Sequence, residues 1–293
     1  MTMLLSVVST AAWALSEMGG IYQIGTAEDF AAFAELVNGG ERNANAVLTA
    51  DIDLGSTNTK IGVGGDYQGV FNGAGHTITI AFVDTETQGP ALFRGIGNHG
   101  VIENLKVQGS ITTAKPHAAG ISNYCSGIIR NCYTDVNIEC DNLADASAAG
   151  IVGQLNKMST VENCLAKVVI TGANSHKCGG VAAWADSKFV NIANCLVIND
   201  DCGFDWSDGS SAGLVRNDGN LAIVDLDTYN ADSYHNRPTG ACANNYVTND
   251  WGTTNKGTTV VSSEDLASGK ICYQLNSDQS KIRCRWVHRP GSA

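Results

Sequence analysis

The chain predicts an all-β fold: a single-stranded, right-handed parallel β-helix, or solenoid, with a short N-terminal capping α-helix. Three observations predict it. A phrase recurs that runs small residue, Gly, β-branched residue or Leu, then a polar turn, then aliphatic-x-Asn-Cys. Its glycines are Gly120, Gly150, Gly180 and Gly213, at steps of 30, 30 and 33, and self-similarity at such a period marks stacked repeats. Apolar residues alternate after each Asn, the period of a strand with one buried face. Composition agrees: 43% apolar, 16% charged and 33 Gly in 293 residues describe an ordered, turn-rich chain. That length is large for one compact core, whereas each repeat of a solenoid packs only on its neighbours.

Residues 1–19 read as a leader. Leu4 to Leu15 is apolar with Ser and Thr, and Ala12-Trp13-Ala14 has the small residues of a cleavage site. The first basic residue is Arg42, so the positive n-region of a signal peptide is missing. The other reading of this segment is a buried N-terminal strand. No run of eighteen apolar residues exists, so no membrane span is expected.

Residues 20–279 form the predicted β-helix domain, with an N-terminal cap over 20–68 and rungs over 69–250. Ile21-Tyr22-Gln23-Ile24 reads as a short strand. Thr26 is placed as the N-cap of a helix with Glu28 and Asp29 in its first turn. Phe30, Phe33, Leu36 and Val37 share one face, and Asn38-Gly39-Gly40 ends the helix. Such a helix would cover the open end of the coil, where a bare apolar cross-section otherwise meets water. Val47 to Leu54 reads as one alternating strand, and Gly73-Ala74-Gly75 as a turn into another over His76 to Ile80.

The rungs align on the residue after the Asn: Leu105, Cys132, Cys164, Cys195. Two places on stand Val107, Thr134, Ala166, Val197, and two further Gly109, Val136, Val168, Asn199. These columns face inward; the mixed columns between them, beginning Lys106, Tyr133, Leu165, Leu196, face outward. About thirty residues per rung leave room for two or three strands with their turns. Asn104, Asn131, Asn163 and Asn194 fall where the chain must turn a corner. Asn tolerates the left-handed conformation, and its amide can both donate and accept along a stack. Glu103, Arg130 and Glu162 alternate in sign at one outward position, as do Asp135 and Lys167 at another, and read as surface pairs between rungs.

Ten Cys would allow disulfides in an exported chain, and rungs about 4.8 Å apart bring stacked Cys within bridging range. Buried thiols acting as small apolar groups are the preferred reading of Cys132, Cys164 and Cys195. No Cys-x-x-Cys pair supports a zinc ribbon. The net charge of −11 argues against nucleic acid and against anionic membrane surfaces.

Ala149-Gly150-Ile151-Val152-Gly153 followed by Val161-Glu162-Asn163-Cys164 resembles the GLUG motif of bacterial repeat proteins. Tyr22 to Ile24, Ala50-Asp51-Ile52-Asp53-Leu54, Phe71 to Ile78 and Leu266 to Asn276 are similar to segments that accompany that motif, the last closing the repeat region in relatives from gut bacteria. The resemblance spans roughly residues 20–280. It implies a secreted or surface β-helix protein, adhesin-like and part of a larger surface protein, and it implies no catalytic residue. Asn123 and Ala183 depart from the motif's second Gly, and the Gly213 repeat lacks Asn-Cys at the usual distance. Residues 280–293, with Lys281, Arg283, Arg285 and Arg289, form a basic tail unlike the rest.

The candidate ligand-binding residues are Phe204, Asp205, Trp206, Tyr229, Tyr234 and Trp251: aromatic faces suit the apolar faces of sugars, and carboxylates accept from hydroxyls. Asp200, Asp201, Asp205 and Asp208 are candidate Ca²⁺ ligands, an all-oxygen set without EF-hand spacing, and otherwise a solvated acidic turn. No other cofactor is expected. The leading expectation is a non-catalytic, extracellular or cell-surface adhesion or ligand-binding module, with a glycan or a host surface protein as partner. The alternatives are a carbohydrate-active enzyme, a polysaccharide lyase or glycoside hydrolase, on the same scaffold, and a structural spacer. Carboxylate pairs at glycosidase distances arise between neighbouring rungs almost by default, so they assign no catalytic residue.

Overall fold

The computed structural model describes residues 15–83, 89–140, 147–156, 158–172, 177–185, 190–199, 242–243, 245–250 and 258–277. The described strands wind into a parallel β-solenoid with four sheets. Sheet I has nine strands, among them Ile21–Ile24, Val101–Glu103, Ile128–Arg130, Thr160–Glu162 and Asn191–Ala193. Sheet II has eight, among them Thr77–Val83, Lys106–Thr113, Tyr133–Cys140, Leu165–Thr171 and Leu196–Ile198. Sheet III has four: Phe93–Ile96, Ser122–Cys125, Val152–Leu155 and Ala182–Ala185. Sheet IV has three short strands, Ala118–Ala119, Ser147–Ala149 and Lys177–Gly179. A rung therefore carries up to four strands rather than the two or three that its length suggested. The expected single strand from Val47 to Leu54 is two, Asn45–Leu48 in sheet I and Ile52–Gly55 in sheet II. The chain turns a corner between them, where the Asp51 carboxylate accepts from Thr77 N of the next rung at 2.8 Å.

Two corners explain the repeated phrase. Between sheets I and II, Asn104, Asn131, Asn163 and Asn194 all take φ of 53–55°, the left-handed region that Asn enters more readily than other side chains. Their amides stack: Asn104 Nδ2 donates to Asn72 Oδ1 at 3.1 Å, Asn131 Nδ2 to Asn104 Oδ1 at 3.3 Å, and Asn194 Nδ2 to Asn163 Oδ1 at 3.3 Å. The ladder breaks once, between Asn131 and Asn163, where Asn131 Oδ1 is buried with no hydrogen-bond partner. The second corner lies between sheets IV and III. There a Cβ on Gly120 would stand 2.6 Å from the Gly150 carbonyl oxygen, and one on Gly150 2.6 Å from that of Gly180. Glycine is required at this corner because successive backbones touch.

The cysteine column points inward. Cys132, Cys164 and Cys195 are buried free thiols, and each donates to the carbonyl two residues before it, at 3.2, 3.2 and 3.4 Å. Burial, helped by the neighbouring thiol, holds the Cys132 thiol well above its ordinary pKa; burial does the same to Cys164. On the strand next to Leu196–Ile198, Asn245 takes the place of the Cys, since Leu196 pairs with Tyr246. Its buried amide accepts from Cys195 N and donates to the Ile192 carbonyl, both at 2.9 Å.

The N-terminal end is capped as expected. Helix α1, Ala27–Asn38, starts in a capping box: Thr26 Oγ1 accepts from Asp29 N, and Asp29 Oδ2 accepts from Thr26 N. It buries Phe30, Phe33, Ala34 and Val37, each large side chain contributing about 1.5–3 kcal/mol. Phe30 and Phe33 meet Phe71 with centroids 6.3 and 6.2 Å apart, Phe33 meets Tyr67 at 6.1 Å, and Phe71 meets Phe93 at 5.4 Å. Two further helices, α2 (Ser263–Ala267) and α3 (Lys270–Ser277), follow the last described strand, Thr258–Val260. They cover the outer face of sheet II, where Ile271 and Leu275 join Leu196, Tyr246 and Val261 in a second apolar cluster with Leu165 and Ile198. The outward column that begins at Lys106 thus turns apolar toward Leu165 and Leu196 because those positions have something to pack against.

Candidate functional site

The described residues that could meet a ligand are found by asking which side chains of each rung face solvent. The expected ion pairs are present: on sheet I Arg130 donates to Glu103 Oε2 from Nη2 at 2.6 Å and from Nε at 2.9 Å, and on sheet II Lys167 Nζ lies 3.4 Å from Asp135 Oδ2. Lys106 sits over the Tyr133 ring at 5.3 Å. Burial, then the nearby Asp135 carboxylate, push the Tyr133 phenol up to about 12. Glu162, expected at the surface, is largely buried instead. These contacts tie rung to rung and leave no shared centre.

Sheet III is different. Tyr124, Gln154 and Trp184 occupy one column, Tyr124 pairing with Gln154 and Gln154 with Trp184. Each is half-buried while both of its chain neighbours are buried, so this column is the solvent-facing one of the sheet. Adjacent strands lie about 4.8 Å apart, which separates Tyr124 from Trp184 by about 10 Å. Tyr124 is held from two sides: the Arg94 guanidinium lies 4.5 Å over its ring, and the His117 ring centroid is 5.0 Å away. Burial raises the Tyr124 phenol, against the opposing pull of Arg94, so its hydroxyl stays neutral. His117 is itself fixed at φ 63°. Its N–H donates to Ser147 Oγ at 2.7 Å, and its carbonyl accepts from Asn123 Nδ2 at 2.8 Å. Gly153 leaves room for that residue, since a Cβ there would stand 2.5 Å from the His117 carbonyl oxygen. Beside the column Gln154 Nε2 donates to Asn156 Oδ1 at 3.0 Å, and Asn156 Nδ2 to Ser126 Oγ at 3.3 Å. The result is two aromatic rings at the ends of a short stripe and hydrogen-bonding amides between them, on a backbone that the coil holds rigid.

The ladder residues Asn104, Asn131, Asn163, Asn194, Cys132, Cys164 and Cys195 are brought together as scaffold. The candidate ligand-binding residues Phe204, Asp205, Trp206, Tyr229, Tyr234 and Trp251, and the candidate Ca²⁺ ligands Asp200, Asp201, Asp205 and Asp208, lie outside the described residues. Among the described residues no three His, Cys, Asp or Glu side chains are gathered as metal ligands, and no helix is long and apolar enough to cross a membrane. Sequence reasoning missed Tyr124, Gln154 and Trp184. Their signal was the period itself, since each stands four residues after its repeat glycine, Gly120, Gly150 or Gly180.

Compared with protein-family models and with curated protein sequences, the chain finds no match. Among solved structures it is similar to a Bacteroides ovatus protein described as a "putative immunoglobulin A1 protease", with 18% identity and a TM-score of 0.44 over 87% of this chain and 88% of that one.

Proposed function

We propose that this chain is a non-catalytic, exported cell-surface module for adhesion or ligand binding, a GLUG-like repeat coil within a larger surface protein, with an extracellular glycan as its partner. The observation that carries the reading is where the different kinds of side chain lie. Thiols of the repeats are turned inward: Cys125, Cys132 and Cys164 are buried, and desolvation keeps them protonated. On sheet III the outward column is aromatic rings and an amide beside the Arg94 guanidinium, groups that recognise ligands by stacking and hydrogen bonding. The net charge of −11 favours a partner other than a polyanion. The test is a screen of the full chain against immobilised glycans and extracellular-matrix proteins, with polysaccharide digests run in parallel. Saturable glycan binding without release of reducing ends or unsaturated sugars is the expected result. Product release overturns the reading in favour of an enzyme, and silence in both assays leaves a spacer.

A further inference from the structure

We propose that the Tyr124–Gln154–Trp184 column is a glycan-binding face that takes a short run of neutral sugar rings laid along the coil axis, an inference that rests on the glycan-binding reading above. The spacing comes from the coil. Tyr124 and Trp184 are two rungs apart, about 10 Å, which is the reach of a disaccharide, and Gln154 stands on the rung between them. Sugar rings offer apolar faces that stack on aromatic rings and hydroxyls that bond to amides. Trp184 supplies the stacking ring, Tyr124, whose ring carries Arg94 and His117, supplies a fixed ring edge and its hydroxyl, and Gln154 supplies the amide between them, with Asn156 and Ser126 continuing the amide network at its side.

The Tyr124 end of the face is built before any ligand arrives. Arg94 and His117 clamp the Tyr124 ring, and buried Asn123 and Ser147 hold His117 in a left-handed conformation that costs free energy unless its surroundings enforce it. Little side-chain freedom then remains to be lost on binding. The chemistry also separates a glycan from a peptide. Peptides that add to a sheet need an open strand edge, but Ser122–Cys125 is paired on both sides, with Phe93–Ile96 and with Val152–Leu155. Val152–Leu155 is likewise paired on both sides, so at Tyr124 and Gln154 only side chains are on offer. The exposed Asp66, whose carboxylate lies over Gly95 at the Tyr124 end of the column, and the chain's net charge both disfavour an acidic polymer.

The experiment is an array of immobilised neutral oligosaccharides (gluco-, manno-, xylo- and galacto-series), polyuronates and matrix proteins, probed with the full chain and its variants. Neutral-glycan binding that falls about tenfold or more in Trp184→Ala and in Tyr124→Ala, with partial recovery in Trp184→Phe and an unchanged β-sheet circular-dichroism spectrum, is the expected result. Trp206→Ala reports separately on the 204–251 segment. Wild-type glycan binding that Trp184→Ala and Tyr124→Ala leave intact overturns this site and spares the functional reading. Signal confined to polyuronates or matrix proteins overturns the ligand class, and no signal at all overturns both proposals. Should Trp184→Ala lose its β-sheet spectrum, Trp184→Phe and Gln154→Ala carry the same comparison with less volume removed: reduced binding supports the site, and unchanged binding overturns it.

Discussion

The two halves of the coil are filled in opposite ways. Toward the N-terminus the interior is aromatic: Phe30, Phe33, Tyr67, Phe71 and Phe93 interlock as a cluster that occurs once among the described residues. Among the described residues from Ala118 to Val197 the apolar interior is mainly Ala, Cys, Ile and Val, set in columns that recur from rung to rung. The contrast teaches what each part has to solve. A cap fills an irregular end and uses large rings in one-off contacts. A repeat must set each residue on its own counterpart about 4.8 Å away, which favours small side chains and polar groups that can bond to copies of themselves.

The largest expected effect is therefore truncation in the cap. Phe71→Ala removes a ring that touches Phe30, Phe33 and Phe93 and should cost about 3–5 kcal/mol, read from urea unfolding. In the repeats the damage should come from enlargement. Gly150→Ala puts a methyl 2.6 Å from the Gly180 oxygen and 2.9 Å from Ala166 Cβ, and should cost about 1–3 kcal/mol; a neutral result would remove close backbone approach as the reason for the repeat glycine.

The thiol columns give a dependence on pH with a definite sign. An unfolded thiol ionises near pH ~8.5, whereas burial pushes Cys125 up to about 12 and holds Cys132 and Cys164 well above the ordinary value. The folded values exceed the unfolded ones, so this stabilisation is complete below pH ~8.5 and is lost as pH rises from there toward about 12. Unfolding midpoints should fall through that window by up to about 1.4 kcal/mol per pH unit and thiol, and less steeply in Cys125→Ala than in the wild type. The smallest effect belongs to the outer surface. Arg130→Ala removes a half-exposed guanidinium from Glu103 and should cost about 0.2–1 kcal/mol, diminishing with salt.

How much of this was legible in the sequence depended on which phrase served as ruler. Measured from the Asn, the columns of sheet II come out correctly, and the positive φ of Asn104, Asn131, Asn163 and Asn194 follows from the residue type. The same ruler fails on sheet III. The turn from sheet III into sheet I runs from Cys125 to Ile128 in one rung, from Leu155 to Thr160 in the next and from Ala185 to Asn191 in the third. Counting back from the Asn therefore scatters Tyr124, Gln154 and Trp184, and only the glycine brings them into line. The outer helices were half legible: Leu165, Leu196 and Ile198 stand apolar at outward positions, but nothing local says that α2 and α3 return to cover them.

The strand pairing steps from Leu196 to Tyr246, fifty places along the chain where earlier rungs needed about thirty. The register survives the excursion, because Asn199 bonds to Thr248 and Asn249 at the point of departure, and Asn245 bonds back to Cys195 and Ile192 on re-entry. Loop closure grows only logarithmically with length. A step of fifty places therefore costs little more to close than one of thirty, and polar bonds at its two ends keep the spine in thread.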